Sequence, residues 1–262
     1  MMRSLWTAAT GMAAQNMNVD VIANNLANVN TAGFKRGRAN FQDLMYQQIK
    51  APGAEASAAG TQLPSGIQIG LGVQTASVSQ NFSEGSFQTT NNKLDLAIKG
   101  RGFFQVLMPS GDLAYTRAGA FSVDAQGQMV SADGNIVQPA ITIPADVLGI
   151  NVAEDGTVSV DQPGAASTVV GQIQLVDFIN PGGLTMLGNS MFQTSNASGE
   201  PITGNPGTNG LGGIGQGMLE MSNVNMVEEM VNLIAGQRAY EMNSKAIQAA
   251  DEMLQTANSI RR

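Results

Sequence analysis

A seven-residue repeat near the C-terminal end of the sequence restricts the fold more than any other feature. In residues 222–262, large side chains recur at this interval: Met226, Leu233, Tyr240, Ile247 and Leu254. A second row of small or polar residues has the same spacing: Gly236, Asn243, Ala250 and Ala257. The stretch contains no proline, so it predicts a helix that starts after an Asn225 cap and runs for about 50 Å. A helix with one large-residue and one small-residue seam needs a second helix to pack against.

The N-terminal end of the sequence carries a matching repeat. Large residues recur every seven positions at Leu5, Met12, Val19 and Leu26. A second row follows three positions later at Ala8, Gln15, Ile22 and Val29. We expect a helix over residues 4–28, closed by the turn-forming residues 30–33. Repeats at both ends favour a coiled coil of the two terminal helices, and two amphipathic helices packed separately on a globular core are the alternative. The coiled-coil arrangement suits a subunit that stacks lengthwise on copies of itself.

Composition excludes several functional classes. The net charge of −7 argues against nucleic acid or an anionic membrane surface as the main partner. The absence of cysteine and histidine removes thiol catalysis, disulfides and the commonest general base and metal ligand. No run approaches the roughly 18 apolar residues of a membrane span, and the N-terminal stripe lacks a signal-peptide core. The sequence therefore predicts no membrane span, and a chain that is either cytoplasmic or exported without a cleaved signal peptide.

Residues 46–80 separate the first helix from the rest of the chain. Phe41, Leu44, Met45 and Ile49 predict a short helical turn or two just before a segment rich in glycine, proline, alanine and serine, residues 51–72. From Ile67 onward apolar residues alternate, as they do in a strand. We interpret the segment as an extended arm that becomes ordered against neighbouring copies, with a disordered loop as the alternative. The only basic cluster, residues 35–38, is expected in a solvated turn or a protein contact.

The middle of the chain predicts an all-β domain. Residues 94–98, 103–107 and 169–179 are strand-like, and turn residues at 124–127, 133–135 and 155–156 separate apolar runs as in hairpins. Residues 195–217 are expected to return the chain flexibly to the terminal helix. The predicted fold class is α+β, with paired terminal helices, an arm and a β domain. The predicted regions are the helical residues 1–45 and 218–262, the arm at 46–80 and the β-rich outer domain at 81–217.

No stretch of the sequence predicts a catalytic or cofactor site. Residues 210–215 match a dinucleotide-binding glycine pattern, but the pattern needs a strand before it and another after the helix. Proline and glycine stand before it, so we interpret it as part of the return loop. Aspartates are frequent in turns, where they cap their own backbone, and carboxylate pairs of a cell-wall glycosidase are the less favoured alternative. We expect no enzyme activity, no cofactor and no metal.

Four regions of the sequence resemble the axial proteins of the bacterial flagellum. Residues 23–35, ANNLANVNTAGFK, resemble the N-terminal signature shared by rod and hook proteins. Residues 222–241 and 251–254, together with Lys245, resemble the C-terminal signature. Residues 94–104 and 115–121 are similar to the opening of the family's β domain. The arm stretches 46–53 and 63–70 are similar to those of the members that build the distal rod, so another axial subunit, of the proximal rod or the hook, is the alternative.

The resemblance implies a structural subunit that polymerises helically into a straight hollow shaft and transmits torque from motor to hook. It also implies unfolded export without a cleaved signal, a position in the periplasm-spanning basal body, and contacts with other rod proteins, the hook protein and the P- and L-ring proteins. We expect assembly to use the helix seams, Leu5, Met12, Val19, Ile22, Leu26, Val29, Met226, Leu233, Tyr240, Ile247 and Leu254. We expect the arm to contribute Tyr46, Pro52, Leu63, Pro64, Ile67 and Ile69.

Overall fold

The computed structural model describes residues 2–53, 64–144, 146–164 and 166–260, and the protein has an α+β fold. Helix α1 is Met2–Ala27 and helix α2 is Met226–Ile260, and the described residues between them form strands joined by turns and one 3₁₀ turn, Pro181–Gly183. The chain divides into two compact units. We call Met1–Leu26, Gly37–Ser79 and Met226–Arg262 the helical unit, and Ala27–Arg36 with Gln80–Asn225 the β unit. The predicted terminal helices and β-rich middle are confirmed.

The helical unit contains α2, all of α1 except its last residue, Ala27, and the segment Gly37–Ser79. Its strands are β1 (Gly37–Asp43), β2 (Tyr46–Lys50), β3 (Ile67–Gly70) and β4 (Val73–Gln80), of which β4 ends one residue inside the β unit. β1 pairs with β4, and β2 pairs antiparallel with β3, from Tyr46 opposite Gly70 to Lys50 opposite Ile67. The helical turns expected around Phe41 and Ile49 are wrong. Strand partners that are distant in sequence take up the backbone hydrogen bonds of these residues, and this overrides the local spacing.

Helix α1 ends in the turn that its sequence predicts. The amide of Thr31 donates to the carbonyl of Asn28 at 3.2 Å, and Gly33 has a φ of +71°. A Cβ at Gly33 would lie 2.4 Å from the amide nitrogen of Ala118, so both the conformation and the space require glycine. Position 33 therefore requires glycine, which is the residue that the sequence has there.

The β unit is built mainly on one antiparallel sheet, whose central strand is β7 (Phe103–Leu107). The strands of the whole β unit are β5 (Phe87–Thr89), β6 (Leu96–Lys99), β7 (Phe103–Leu107), β8 (Leu113–Thr116), β9 (Phe121–Val123), β10 (Met129–Ser131), β11 (Ile136–Gln138), β12 (Gly149–Val152), β13 (Thr157–Asp161), β14 (Thr168–Gln172), β15 (Leu175–Asp177), β16 (Thr185–Gly188), β17 (Met191–Gln193), β18 (Ile202–Gly204), β19 (Gly213–Gln216) and β20 (Met218–Glu220). The nine-stranded sheet runs β16-β17-β8-β7-β11-β10-β9, with β15 also paired to β7 and β18 paired to β15. β12-β13-β14 form a second sheet, and β6 with β19 and β5 with β20 form two-stranded pairs.

Two clusters of apolar side chains fill the β unit. The larger includes the fully buried Leu96, Phe104 and Leu175. The smaller is aromatic: Phe103, Tyr115, Phe178 and Phe192 pack with Phe82 at their margin. Their rings meet edge to face at centroid distances such as 4.9 Å for Tyr115 and Phe178, a favoured aromatic geometry. This core gives the β unit its own source of stability.

The hairpin turns are confirmed and two other details are wrong. Asp124, Gly134 and Asp155 lie in turns that join β9 to β10, β10 to β11 and β12 to β13, and Asp155 Oδ1 accepts the amide of Thr157 at 3.0 Å. The single strand expected over residues 169–179 is two strands, β14 and β15, each paired in a different sheet. The glycine pattern at 210–215 is not a loop throughout, because Gly213–Gln216 is β19, paired with β6. Strand pairing, not local composition, decides both cases.

Candidate assembly surfaces

Helices α1 and α2 contact each other through small and polar residues. A Cβ at Gly11 would lie 3.0 Å from Asn243 Nδ2, and a Cβ at Gly236 would lie 3.4 Å from Val19 Cγ2. Along α1 the contacts advance while along α2 they recede, so the helices run antiparallel. Ala8, Ala14 and Ala250 are also buried. Glycine and alanine at such positions let two helix backbones approach closely.

A buried asparagine joins the end of α1 to the start of both β1 and α2. Asn25 Nδ2 donates to the carbonyl of Gly37 at 2.8 Å and to Glu229 Oε2 at 3.2 Å. The amide of Gly37 donates back to Asn25 Oδ1 at 2.8 Å. Asn25 is 2% exposed and Glu229 is 1% exposed. Buried polar groups cost free energy unless they are hydrogen-bonded, so this arrangement holds its members in one geometry.

The expected helix-seam residues differ in exposure. Ile22 is buried. Leu5, Met12, Val19, Leu26, Val29, Leu233 and Ile247 are half-buried. Met226, Tyr240 and Leu254 are exposed. Val29 belongs to the β unit, whereas the others belong to the helical unit. Most of the large-residue rows therefore keep substantial surface accessible in the single chain.

The structure also shows an apolar face on α2 that the seven-residue repeat did not predict. Val227, Met230, Val231 and Ile234 are exposed, Val227 by 71%, and we call them the outer face of α2. It lies roughly opposite Glu229 and Gly236, because residues two apart on a helix point about 200° apart. The four residues of this face are three or four positions apart, and that spacing is the pattern by which the sequence indicates an apolar helix face. A row of exposed apolar residues on one helix indicates an interaction surface.

The arm residues lie on the β2–β3 hairpin and beside it. Tyr46, Ile67 and Ile69 are exposed, and so is Ile49, which was not among the expected contact residues of the arm. Pro52 and Pro64 are exposed next to the strands. Leu63 lies outside the described residues. The hairpin therefore carries exposed apolar side chains on both of its strands.

An ionic cluster is buried in the β unit. Lys35 Nζ lies 2.5 Å from Glu220 Oε1, and Arg117 lies 3.2 Å from Glu220 Oε2. The Lys35 ammonium also donates to the carbonyl of Ser83 at 2.7 Å, and the amide of Gly85 donates to Glu220 Oε1 at 3.1 Å. The cluster joins segments far apart in sequence. The expectation that the basic residues 35–38 form a solvated turn or a protein contact is wrong for Lys35, which is 2% exposed.

Burial lowers the pKa of Lys35 below its usual 10.5, and Arg117 acts in the same direction, while Glu220 and Glu84 oppose it. In the interval between that lowered pKa and 10.5, the unfolded chain binds more protons than the folded chain. We therefore expect the contribution of Lys35 to the free energy of unfolding to rise with pH across this interval. Burial raises the pKa of Tyr115 above 10.0, which acts in the opposite sense at alkaline pH.

A comparison with Lys35→Met isolates the lysine. Because the variant retains Tyr115, the stability difference between the parent chain and Lys35→Met should change in favour of the parent chain as pH rises towards 10.5 from below. Urea-denaturation midpoints of both proteins at matched ionic strength measure it. A difference that stays constant with pH would show that Lys35 is not titrating from a buried site.

The described residues show neither a metal-binding group nor a membrane-crossing helix. No cluster of three or more His, Cys, Asp or Glu side chains within the described ranges is placed to hold a metal ion. None of the helices there is long and apolar enough to cross a membrane.

Three family models match the sequence. Residues 5–35 match "Flagella basal body rod protein", residues 97–160 match "Flagellar hook protein FlgE/F/G D1 domain", and residues 216–260 match "Flagellar basal body rod FlgEFG protein C-terminal". The matches cover α1, much of the β unit and α2. Together they define the class: a structural protein of the flagellar rod and hook type.

Curated relatives narrow the class. The chain is 47% identical to the flagellar basal-body rod protein FlgG of Buchnera aphidicola subsp. Schizaphis graminum, over 99% of this chain and 100% of the relative. It is 49% identical to FlgG of Caulobacter vibrioides over 99% and 100%, and 47% identical to FlgG of Borreliella burgdorferi over 100% of both. The chain belongs to the flagellar basal-body rod protein FlgG family. It is a structural subunit of the distal rod in the flagellar basal body, and not an enzyme.

Proposed function

We propose that the chain polymerises helically into a straight, hollow shaft that transmits torque from motor to hook. Its terminal helices pair as a coiled coil within each copy and pack against those of neighbouring copies. The observation that carries the proposal is the two-sidedness of α2. Small residues such as Gly236 meet α1, while the outer face with Val227 and Val231 stays exposed.

Burial of the outer face supplies the driving force for assembly. Fully removing one such side chain from water stabilises by about 1.5–3 kcal/mol, so the four residues of the face together offset a large part of the roughly 4–15 kcal/mol that association costs. A contact between two different surfaces of identical copies produces a ring if its rotation closes and a helical filament if it does not, and we propose the second case here. The same contact, repeated between all neighbours, makes the wall of the tube.

The three predicted regions take different parts in this proposal. Residues 1–45 and 218–262 form the inner wall, residues 46–80 form the arm, and residues 81–217 form the outer domain. The β2–β3 hairpin, with Ile49, Ile67 and Ile69 exposed, covers a neighbouring copy and prevents the sliding that would let the tube bend. Other rod proteins, the hook protein and the P- and L-ring proteins are the proposed neighbours. We further propose export without a cleaved signal peptide and a periplasm-spanning position.

Electron microscopy of the purified, concentrated chain tests the proposal. Straight tubes with a central channel are expected, and they should appear with a critical concentration typical of helical polymers. Curved tubes would favour a hook-like subunit. A protein that remains monomeric at every concentration and nucleation condition would contradict polymerisation through its own surfaces.

The arm gives a separate prediction. Replacing residues 51–66 by Asn-Gly joins Lys50 to Ile67 through a two-residue hairpin turn. We expect this variant to polymerise into curved or flexible tubes, because the shortened arm no longer reaches its neighbour. The persistence length of the tubes in electron micrographs measures the effect.

A second arm variant keeps the full length and changes only side chains. Ile49→Ser, Ile67→Ser and Ile69→Ser together remove the exposed apolar groups, and each should forfeit about 1.5–3 kcal/mol of burial per contact. Gln47→Ser with Gln68→Ser, on the same strands, is the matched control and should give straight tubes. Tubes as straight as those of the parent chain from both arm variants would remove the arm from the mechanism.

A further inference from the structure

Where α1 meets α2, the contact surface contains little that distinguishes one register from another. On α2 the inward positions are Glu229, Gly236, Asn243 and Ala250, spaced by seven. Sliding α2 by one heptad would place Ala250 against Gly11, where Asn243 now lies. Alanine is small enough for that position. The same slip would place Asn243 where Gly236 now meets Val19, so small-residue packing opposes the slip there but not at Gly11. The slip would leave seven extra residues between the β unit and the contact with Asn25, and the first turns of α2 can accommodate them by leaving the helix as a loop.

The buried hydrogen bonds of Asn25 also oppose the slip. In the slipped register Asn25 would face Gly236, and Glu229 would lie beyond the end of α1, so the bond between the two side chains would be lost. Asn25 cannot follow α2, because both its amide nitrogen and its oxygen are bonded to the backbone of Gly37. A single buried polar residue in a helix interface is known to select register in this way, at some cost in stability.

We propose that Asn25 and Glu229 form a register lock that sets the axial position of α2 on α1. Asn25 is a positioning residue: it contacts β1 and α2 and acts on assembly through the helix it places. The inference rests on the proposed function in one respect, because a defined register matters only if copies of the helix pair must match one another. In that case, a subunit with a displaced α2 would carry its outer face at a shifted position along the tube axis, out of line with the contact surface of the neighbouring copy.

The natural absence of cysteine allows a direct test by disulfide formation. A Gly11→Cys, Asn243→Cys pair reports the observed register, because a Cβ at Gly11 lies 3.4 Å from Asn243 Cγ. A Gly11→Cys, Ala250→Cys pair reports the slipped register. Both pairs lie far along the helices from Asn25, so a purely local effect of its substitution would not change them. With the lock intact, oxidation of the dilute chain should cross-link the first pair and leave the second reduced.

Removal of the lock should redistribute the cross-links. In Asn25→Leu, Glu229→Leu, the yield or rate of the slipped cross-link should rise about tenfold relative to the observed one. Asn25→Ala, Glu229→Ala is the second variant, and it retains high helix propensity. Asn16→Ala, at an exposed position of α1, is the control and should leave the pattern unchanged. Circular dichroism checks that the helices remain formed.

Each outcome decides the proposal. An unchanged cross-link pattern in both lock variants would overturn it, and loss of both cross-links would show that Asn25 holds the helices together without choosing their register. Tube formation is scored separately on the same proteins. Failure of the cysteine-free parent chain to form tubes would refute the proposed function, while the disulfide pattern would still report on the lock.

Discussion

Ile247→Asp is expected to abolish tube formation while leaving the β unit folded. Ile247 is half-buried in the helical unit and lies on the large-residue seam that the proposed assembly covers. An unpaired carboxylate buried there costs several kcal/mol per subunit, and every copy in the tube carries the cost. Leu26→Asp on α1 should have the same effect. Sedimentation and electron microscopy measure assembly, and hydrogen exchange of β7 and β15 measures the β unit.

A neighbouring substitution controls for added charge. Gln248→Asp introduces the same side chain one residue further along α2, at an exposed position. It should assemble at close to the parent's critical concentration, since the carboxylate can remain in water. Normal tubes from Ile247→Asp and Leu26→Asp would mean that the seams stay open in the polymer, and the helix-packing proposal would be wrong.

Glu220→Ala should produce the largest loss of stability in the β unit. The substitution leaves Lys35 and Arg117 buried without their shared carboxylate, and such an uncompensated charge costs about 3–5 kcal/mol. For a unit of this size the loss corresponds to a fall in melting temperature of roughly 10 °C. Differential scanning calorimetry of the full chain gives the melting temperature, and hydrogen exchange assigns the transition to the β unit.

Two further variants separate charge from packing. Glu200→Ala removes an exposed carboxylate and should change stability by less than about 0.5 kcal/mol. Replacing all three members, by Lys35→Met, Glu220→Leu and Arg117→Leu, removes the buried charges together. It should restore most of the stability lost in Glu220→Ala, as apolar replacements of buried ion clusters do elsewhere. A Glu220→Ala protein that melts with the parent chain would show that the cluster is hydrated in solution.

Local patterns were sufficient for the helices and the turns. A proline-free heptad row predicts α2 whatever the rest of the chain does, because the helix closes its own backbone hydrogen bonds. Turns such as those at Asp124 and Asp155 were also predictable, because the aspartate side chain accepts amides within a few residues of itself. In each case the hydrogen bonds that create the structure join residues of the same short stretch of sequence.

Strands β1 and β2 were misassigned because their partners are distant. Phe41, Leu44 and Ile49 have helix-like spacing, but residues 67–80 pair with this segment and set its conformation. The outer face of α2 was missed for a related reason. Heptad positions show which residues share a row, but not which row meets α1 and which remains exposed.

The sequence by itself determined the class of fold, the ends of the helices and the family, because these depend on periodicity and on short motifs. Only the tertiary structure decided the environment of single side chains. It buried Lys35 beside Glu220, although the basic residues around it read as a solvated turn, and it placed Asn25 against Gly37 and Glu229. Charges and amides have no periodic signature, and their energies depend on burial and on partners that the chain brings together from far apart in sequence.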